Sequence, residues 1–410
     1  MALARFITIA YRDLARNKRR TGLTALAIGL GLVVTMAMSS MIDGMVANSL
    51  ADNIRLSTGH LQIRNESYDV DKGSLLSKDL IKEPEMIASQ VESLEGVQSA
   101  APVLWIGGLM STSQESLGIE VVGIDPDDVF HDPVRKGITA GEYLKNDDRG
   151  LILIGRMLAE EMDISVGRRV SLAINDANGV GQEGVFTVAG LVDTGFPSID
   201  QNRVILPLAQ AQSFSGVGNR ASSIILTLDD REAAANVAAK LQSPEAQIVT
   251  WEELNALLLD SMEYGIYFYY ILYAVIFLLV AVLVVNTLLM SVFERTREIG
   301  ILAALGMNRR QILQLFLLQG VVQALIGIAI GLALGTGIVA LMTYVGISIP
   351  AQTASMVQGM AVGTKMYGGF AWEQFAALAL LLLVIVTLVS LYPARLASRM
   401  EPVEALRTAK

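Results

Sequence analysis

Residues 265–310 read GIYFYYILYAVIFLLVAVLVVNTLLMSVFERTREIGILAALGMNRR. From Gly265 to Phe293 there is no charged residue. A helix that crosses a bilayer needs about 20 consecutive apolar residues, so this run reads as a membrane span. Glu294-Arg295-Thr296-Arg297-Glu298 then ends it abruptly, and Ile299-Gly300-Ile301-Leu302-Ala303-Ala304-Leu305-Gly306 follows. Glu294 and Glu298 are four apart, as are Ile301 and Leu305, which predicts a short amphipathic helix with a charged opening turn. Gly306 suits the position just beyond its end, where left-handed backbone favours glycine. Amphipathicity alone is equally compatible with an interfacial linker between two spans.

Three more stretches share the character of the first. Thr21 to Ile42 is uncharged, a third begins near Ile312 and reaches about Met342, and a fourth runs from Gln374 to Tyr392. Pro393 is expected to stop that last helix, because proline cannot continue one. The whole chain has 410 residues, 52% of them hydrophobic and 17% charged, with mean hydropathy +0.49. Soluble domains are about 45–50% apolar and roughly 25% charged. The surplus is too large for a soluble protein and too small for an all-membrane one, so a membrane part joined to a sizeable water-soluble part is expected. Arg16, Lys18, Arg19 and Arg20 precede the first stretch, as they would a signal peptide. The stretch exceeds the roughly 7–15 residues of a secretory apolar region, and no small-residue cleavage site follows at once, so it reads as an uncleaved anchor.

Charge gives an expected orientation. Residues 1–20 hold six Lys/Arg and one acid, while 294–311 and 394–410 each hold four Lys/Arg and two acids. Against a total of −9, the rest of the chain therefore carries −18. The positive-inside rule puts both termini and the 294–311 loop in the cytoplasm. The expected layout is a basic segment 1–20, a first span 21–46, an extracytoplasmic domain 47–262, a second span 263–293, a cytoplasmic helix 294–311, a third span 312–342, a short external loop 343–373, a fourth span 374–392 and a cytoplasmic tail 393–410.

The external domain reads as α+β. Gly59 to Arg64 alternates like a strand, Pro84 opens a helical pattern closed near Gly96, and Val97 to Ile106 reads as a second strand. The unit recurs late: Ser222 to Leu228, an Ala-rich helix over 231–241 capped by Asp229 and Asp230, then Gln247 to Trp251. Between these β-α-β units lies a strand-rich insert, about 107–215, with strands expected at 118–124, 150–154, 169–174, 185–192 and 203–206. Asp176-Ala177-Asn178-Gly179 marks a turn between two of them.

Enzyme chemistry finds little footing. Without cysteine there is no disulfide, no thiol nucleophile and no Cys-ligated metal. His60 and His131 are the only histidines, so HExxH zinc chemistry is excluded. No Gly-Lys dipeptide occurs, hence no phosphate-binding P-loop. The acid pairs Asp127/Asp128, Asp147/Asp148 and Asp229/Asp230 sit at turns and helix starts, where caps explain them. His60 reads as a hydrogen-bonding residue near the membrane. No catalytic residue, metal site or cofactor site is expected, and the acidic balance speaks against nucleic acid.

The segment E-R-T-R-E-I-G-I-L-A-A-L-G directly after the second span resembles the coupling helix of the ABC-transporter permeases grouped with MacB, FtsX and the lipoprotein-releasing LolC/LolE proteins. The tail Tyr392-Pro393-Ala394-Arg395-Leu396-Ala397 with Glu401-Pro402-Val403-Glu404-Ala405-Leu406-Arg407 resembles the C-terminus of that family, and Arg16-Asn17-Lys18-Arg19-Arg20-Thr21 its opening. Thr58-Gly59-His60-Leu61, Val121 to Pro126 and Leu206 to Ala211 resemble the LolC/LolE branch most. The one–three arrangement of spans about a large domain matches independently.

The resemblance implies a multi-pass protein of the bacterial inner membrane with porter-like β-α-β units. It implies two permease chains, homologous or identical, working with a cytoplasmic ABC ATPase dimer that holds the ATP and Mg. Movement of the ATPases would be transmitted to the external domain (mechanotransmission), extracting lipoprotein or lipid-like cargo from the outer leaflet. A periplasmic carrier is a further possible partner, though the Ala173–Gly184 loop, which would recruit it, is short and polar. By this analogy Glu294, Arg295, Arg297, Glu298, Ile301, Leu302, Leu305 and Gly306 meet the ATPase. A cavity is lined by Val33, Met36, Ala37, Ser40 and Met41 of the first span and Tyr264, Tyr267, Phe268, Ile271 and Val275 of the second. Gly327, Gly331 and Gly335 of the third span allow close helix packing, within one permease or across a dimer. Gln319 and Gln323, one turn apart there, are expected to face another helix. A MacB-type peptide or drug pump and an FtsX-like signalling permease acting on a cell-wall hydrolase are the alternatives.

Overall fold

The computed structural model describes residues 18–69, 73–113, 115–241, 246–348 and 365–401. Most of the basic segment 1–20, most of the 343–373 loop, and the tail motif from Pro402 to Arg407 lie outside the described residues. Among those described, 18–46, 262–347 and 366–401 form one compact unit, and 47–261 with 348 and 365 form another.

Among the described residues, four helices are long and apolar enough to cross a membrane. They run Lys18–Asn53, Ala256–Glu294, Arg309–Tyr344 and Trp372–Ser398. All exceed the uncharged windows that reveal them, because the backbone ladder tolerates polar residues beyond the apolar run. The first helix continues through Asn48, Asp52 and Asn53 into one π turn, Ile54–Thr58, ended by Gly59 at φ 63°. Asn308 opens the third with a capping box: its Oδ1 accepts from Gln311 N (2.9 Å), and Gln311 Oε1 accepts from Asn308 N (2.9 Å).

The fourth helix corrects the sequence reading. Pro393 lies inside it, and the helix runs on to Ser398. Proline removes one backbone donor, so the Val389 carbonyl goes without its partner in the ladder. The following turn is held by packing instead: Ala394 and Ala397 are fully buried among Val292, Ile299, Ile312 and Phe316.

The core of the bundle is a set of stripes at three- and four-residue spacing. Tyr273, Phe277, Val280, Val284 and Leu288 come from the second helix, and Phe375, Leu378, Leu382 and Val386 from the fourth. Ile28, Leu32 and Met36 of the first helix join them. The first and third helices approach closely through glycine. A Cβ on Gly327 would stand 2.7 Å from Ile28 Cβ and 2.8 Å from the Ala25 carbonyl oxygen; one on Gly331 would stand 2.9 Å from the Gly29 carbonyl oxygen. Gly335 faces Met36. The three glycines thus serve packing within a single chain, and Gln319 and Gln323 are buried on the same helix.

Among the described residues, the stretch 61–250 of the second unit holds twelve strands. In chain order they are β1 (Leu61–Asn65), β2 (Ile81–Lys82), β3 (Val97–Ser111), β4 (Ser116–Ile124), β5 (Ile138–Gly141) and β6 (Leu151–Gly155). Then come β7 (Arg169–Asn175), β8 (Gly181–Val192), β9 (Arg203–Pro207), β10 (Arg220–Ala221), β11 (Ser223–Leu228) and β12 (Ala246–Thr250). The order β12-β1-β11-β3, all antiparallel, with helices Pro84–Glu92 and Ala234–Lys240 packed on it, is a split β-α-β sandwich of ferredoxin-like order. The insert is a closed barrel. Pairing runs β3-β4-β9-β6-β8-β7 and returns from β7 to β3. Leu104, Met110, Val121, Ile154, Leu172 and Val204 fill it.

β3 belongs to both lobes. Its first half pairs with β11 and its second with β4 and β7. The strand expected from the sequence ends at Ile106, just before Gly107-Gly108, and glycine weakens a strand. Gly108 is what lets it continue: a Cβ there would lie 2.9 Å from the Ala173 carbonyl oxygen, so only glycine admits β7 alongside. β5 and the short helices at 132–136, 156–161, 197–200 and 208–215 carry no periodic signal and are seen only in the structure.

Candidate functional site

At the loop end of the bundle the second helix stops at Glu294 and the chain turns into the short helix Thr296–Ala304. Its end is a Schellman motif: Met307 N donates to Leu302 O (3.1 Å) and Gly306 N to Ala303 O (3.1 Å), with Gly306 at φ 98°. The inner face is locked down. Ile299 (3% exposed) packs with Ile312, Phe316 and Ala397, flanked by Ala303 and Met307.

The outer face carries Arg297, Glu298, Ile301 (43% exposed) and Leu305 (80% exposed), with Gly306 beside them. Leu302 is half-buried. Of the residues expected on this face, Arg295 is buried, its Nε 4.0 Å from the Glu298 carboxylate. Glu294 is exposed and paired within the bundle, held by Arg20 at 2.7 Å. A four-residue repeat counts both sides of the helix–helix bend as one face, whereas the bend at Arg295 rotates them apart.

A groove of about 790 Å³ opens on the same unit. Its walls are the second and fourth helices, with Tyr270, Tyr273, Leu278, Ala377, Leu381 and Val389 among them, and Ser39, Ile42 and Asp43 of the first helix complete it. None of the ten residues expected to line a cavity lines this one. Val33, Met36 and Ser40 are buried, with Met36 against Gly335 of the third helix; Ala37 is half-buried and Met41 exposed. Tyr264, Tyr267, Phe268, Ile271 and Val275 form an exposed stripe on the opposite side of the second helix. The helix is apolar all round, so periodicity could not tell its faces apart. The readable signal is Asp43, an acid inside an apolar helix.

One end of the groove is polar. Ser39 Oγ donates to Gln374 Oε1 (2.5 Å), and Gln374 Nε2 donates to Asp43 Oδ1 (3.1 Å). Asp43 Oδ2 is buried without a hydrogen-bond partner among the described residues.

In the α+β unit the polar residues act as local fasteners. His60 Nδ1 accepts from Leu228 N (2.8 Å), which requires the neutral ring, and burial with Arg231 nearby lowers its pKa. Asp128 caps Phe130 N (2.7 Å), Asp230 caps Glu232 N (2.9 Å) and Asp148 accepts from Lys145 N (2.8 Å). Burial pushes His131 down to about 3. Burial, with Asp193 adding to it, pushes Asp200 up to about 6, although Thr194 donates to it from both N and Oγ1. A second pocket, about 340 Å³, gathers Arg55, His60, Lys136 and Arg231 from distant parts of the sequence. Gly179-Val180-Gly181-Gln182-Glu183-Gly184 has the spacing of a dinucleotide-binding loop, but it turns between antiparallel β7 and β8 and leads into no helix. Asp176 closes that turn, accepting from Asn178 N and Val180 N. Among the described residues no group of three or more His, Asp or Glu could hold a metal ion.

Two family models match the chain. A family model described as MacB-like periplasmic core domain matches residues 21–243, more than half of the chain, and one described as FtsX-like permease C-terminal matches 270–402. The lipoprotein-releasing system transmembrane protein LolC of Neisseria meningitidis is 26% identical over 77% of this chain and 79% of its own length. The macrolide export ATP-binding/permease protein MacB of Hyphomonas neptunium is 24% identical over 98% of this chain, which spans 61% of that protein. The crystal structure of the periplasmic region of MacB from Actinobacillus actinomycetemcomitans superposes on 51% of this chain and 97% of that one, with 16% identity and a TM-score of 0.36. Four membrane-length helices, a split α+β domain with an inserted barrel and both family matches make this chain an ABC-transporter permease of the MacB/FtsX superfamily, with LolC and LolE among its relatives.

Proposed function

We propose that the chain is the permease subunit of a bacterial inner-membrane ABC system that extracts lipoprotein or lipid-like cargo from the outer leaflet by mechanotransmission. Both termini lie in the cytoplasm in this reading. A separate cytoplasmic ATPase dimer supplies ATP hydrolysis, with ATP and Mg bound there, and a second permease copy or paralogue completes the assembly. The observation that carries it is the Thr296–Ala304 helix: its inner face is fixed to the bundle while Ile301 and Leu305 stay exposed. A push on Leu305 is thereby passed to the third and fourth helices rather than absorbed in a loose loop. Arg20 and Glu294 pass it on to the first and second, which lead in sequence to residues 47–261. The exposed stripe from Tyr264 to Val275 is available to line a cargo cavity together with a second copy.

The test is co-expression with the cognate ATPase and identification of bound cargo by mass spectrometry. Co-purified acylated protein or lipid supports extraction. A complex with the ATPase but with peptide or drug cargo favours a MacB-type pump, a reading supported by the MacB match along nearly the whole chain. An ATPase complex without cargo favours FtsX-like signalling to a hydrolase. Failure to bind any ATPase overturns the proposal.

A further inference from the structure

The groove between the second and fourth helices has the length of one lipid in one leaflet. Arg20, paired at the loop end, and Asp43 are 23 positions apart on one helix, about 34 Å at 1.5 Å per residue. That exceeds the roughly 30 Å hydrocarbon core, so Asp43 stands at headgroup level in the leaflet at the opposite end of the bundle from the loop. Gln374 stands beside it. From Gln374 to Val389 the fourth helix lines the groove over fifteen positions, about 22 Å. One leaflet's half of the core plus its headgroup layer is about the same depth. Below the polar end the walls are apolar: Ala281, Leu378, Leu381 and Ile385.

The polar end is not neutral in its demands. Gln374 satisfies Asp43 Oδ1, yet Oδ2 is buried and unpartnered among the described residues. Asp43 lines the groove with one neutral donor on its carboxylate, which leaves the charge uncompensated, and an ammonium in the groove brings three donors and the opposite charge. We propose that this groove is a binding site for a phospholipid with a primary ammonium headgroup, its ammonium on Asp43 and one acyl chain lying along Leu378 to Val389. An anionic headgroup would meet the carboxylate with like charge. The inference does not rest on the cargo class proposed above.

The test uses the full-length chain in detergent micelles doped with equimolar dioleoyl phosphatidylethanolamine and dioleoyl phosphatidylglycerol, with bound lipid counted by native mass spectrometry. The wild type is expected to retain the ethanolamine lipid at least fivefold over the glycerol lipid. Asp43→Asn, nearly isosteric, is expected to keep total lipid and drop the preference below twofold. Ala377→Trp, inside the groove, is expected to expel both lipids, while Leu380→Trp, exposed on the same helix, leaves binding unchanged. Absence of the preference in the wild type, or its persistence in Asp43→Asn, overturns the assignment. So does a lipid-free dimer that Ala377→Trp dissociates, which would make a second copy the occupant. Neither ATPase nor cargo is present, so this result and that of the function test are read separately.

Discussion

The Arg20 guanidinium donates to the Glu294 carboxylate across 2.7 Å, joining the first and second membrane helices at the end where the short helix Thr296–Ala304 begins. Both side chains are partly exposed, and such a pair contributes only about 0–1 kcal/mol. Its effect is one of connection more than of stability. Arg20→Ala is therefore expected to change the melting temperature of the purified chain by no more than a few degrees yet lower ATP-driven transport in the reconstituted complex. The double exchange Arg20→Glu with Glu294→Arg is expected to restore transport. A double variant no better than the single ones argues against the contact.

Ile299 of the short helix is buried, and Leu305 at its C-terminal cap is exposed. Leu305→Arg is expected to leave the fold intact and uncouple ATP hydrolysis from transport, because it alters only the exposed face. Ile299→Arg buries a charge among Ile312, Phe316 and Ala397 and is expected to destabilise the chain by several kcal/mol. Thermal melting and the ATPase-to-transport ratio, measured on both, separate the two roles. Normal transport by a well-assembled Leu305→Arg complex would remove that face from the coupling path.

Gly327→Val is expected to force apart the first and third helices, since its Cβ meets a backbone carbonyl and Ile28. Overpacking of this kind costs about 1–3 kcal/mol. Gly337→Ala is the control: nothing stands within 4 Å of a Cβ there, and helix propensity alone makes it neutral or stabilising. Equal melting temperatures for the two variants would contradict the close packing.

His131 is buried, edge-on to Phe130 at 5.1 Å, and held near a pKa of about 3 against 6.5 in an unfolded chain. Between those values the unfolded state binds the extra proton, so His131 favours the fold fully above pH 6.5 and less as pH falls. The loss reaches about 2 kcal/mol by pH 5. His131→Asn is expected to flatten the fall in melting temperature between pH 7 and 5 relative to wild type, and parallel curves would refute it.

What was legible in the sequence follows from local physics. Four uncharged runs declare helices that must avoid water. The charge step at Glu294 followed by Ile299 to Gly306 declares a short amphipathic helix, and alternating residues declare most strands. Those signals need only a chain, a solvent and a backbone period. The tertiary structure decided which faces meet. An all-apolar helix has no preferred side, so the groove at Ser39, Asp43 and Gln374 and the outward stripe at Tyr264 to Val275 emerge only when four helices pack together. The same holds for Pro393, whose missing donor is outweighed by the burial of Ala394 and Ala397. It holds for β3 too, which belongs to two lobes because Gly108 admits a neighbour brought from residue 173. Packing partners distant in sequence set these outcomes, and no local pattern encodes them.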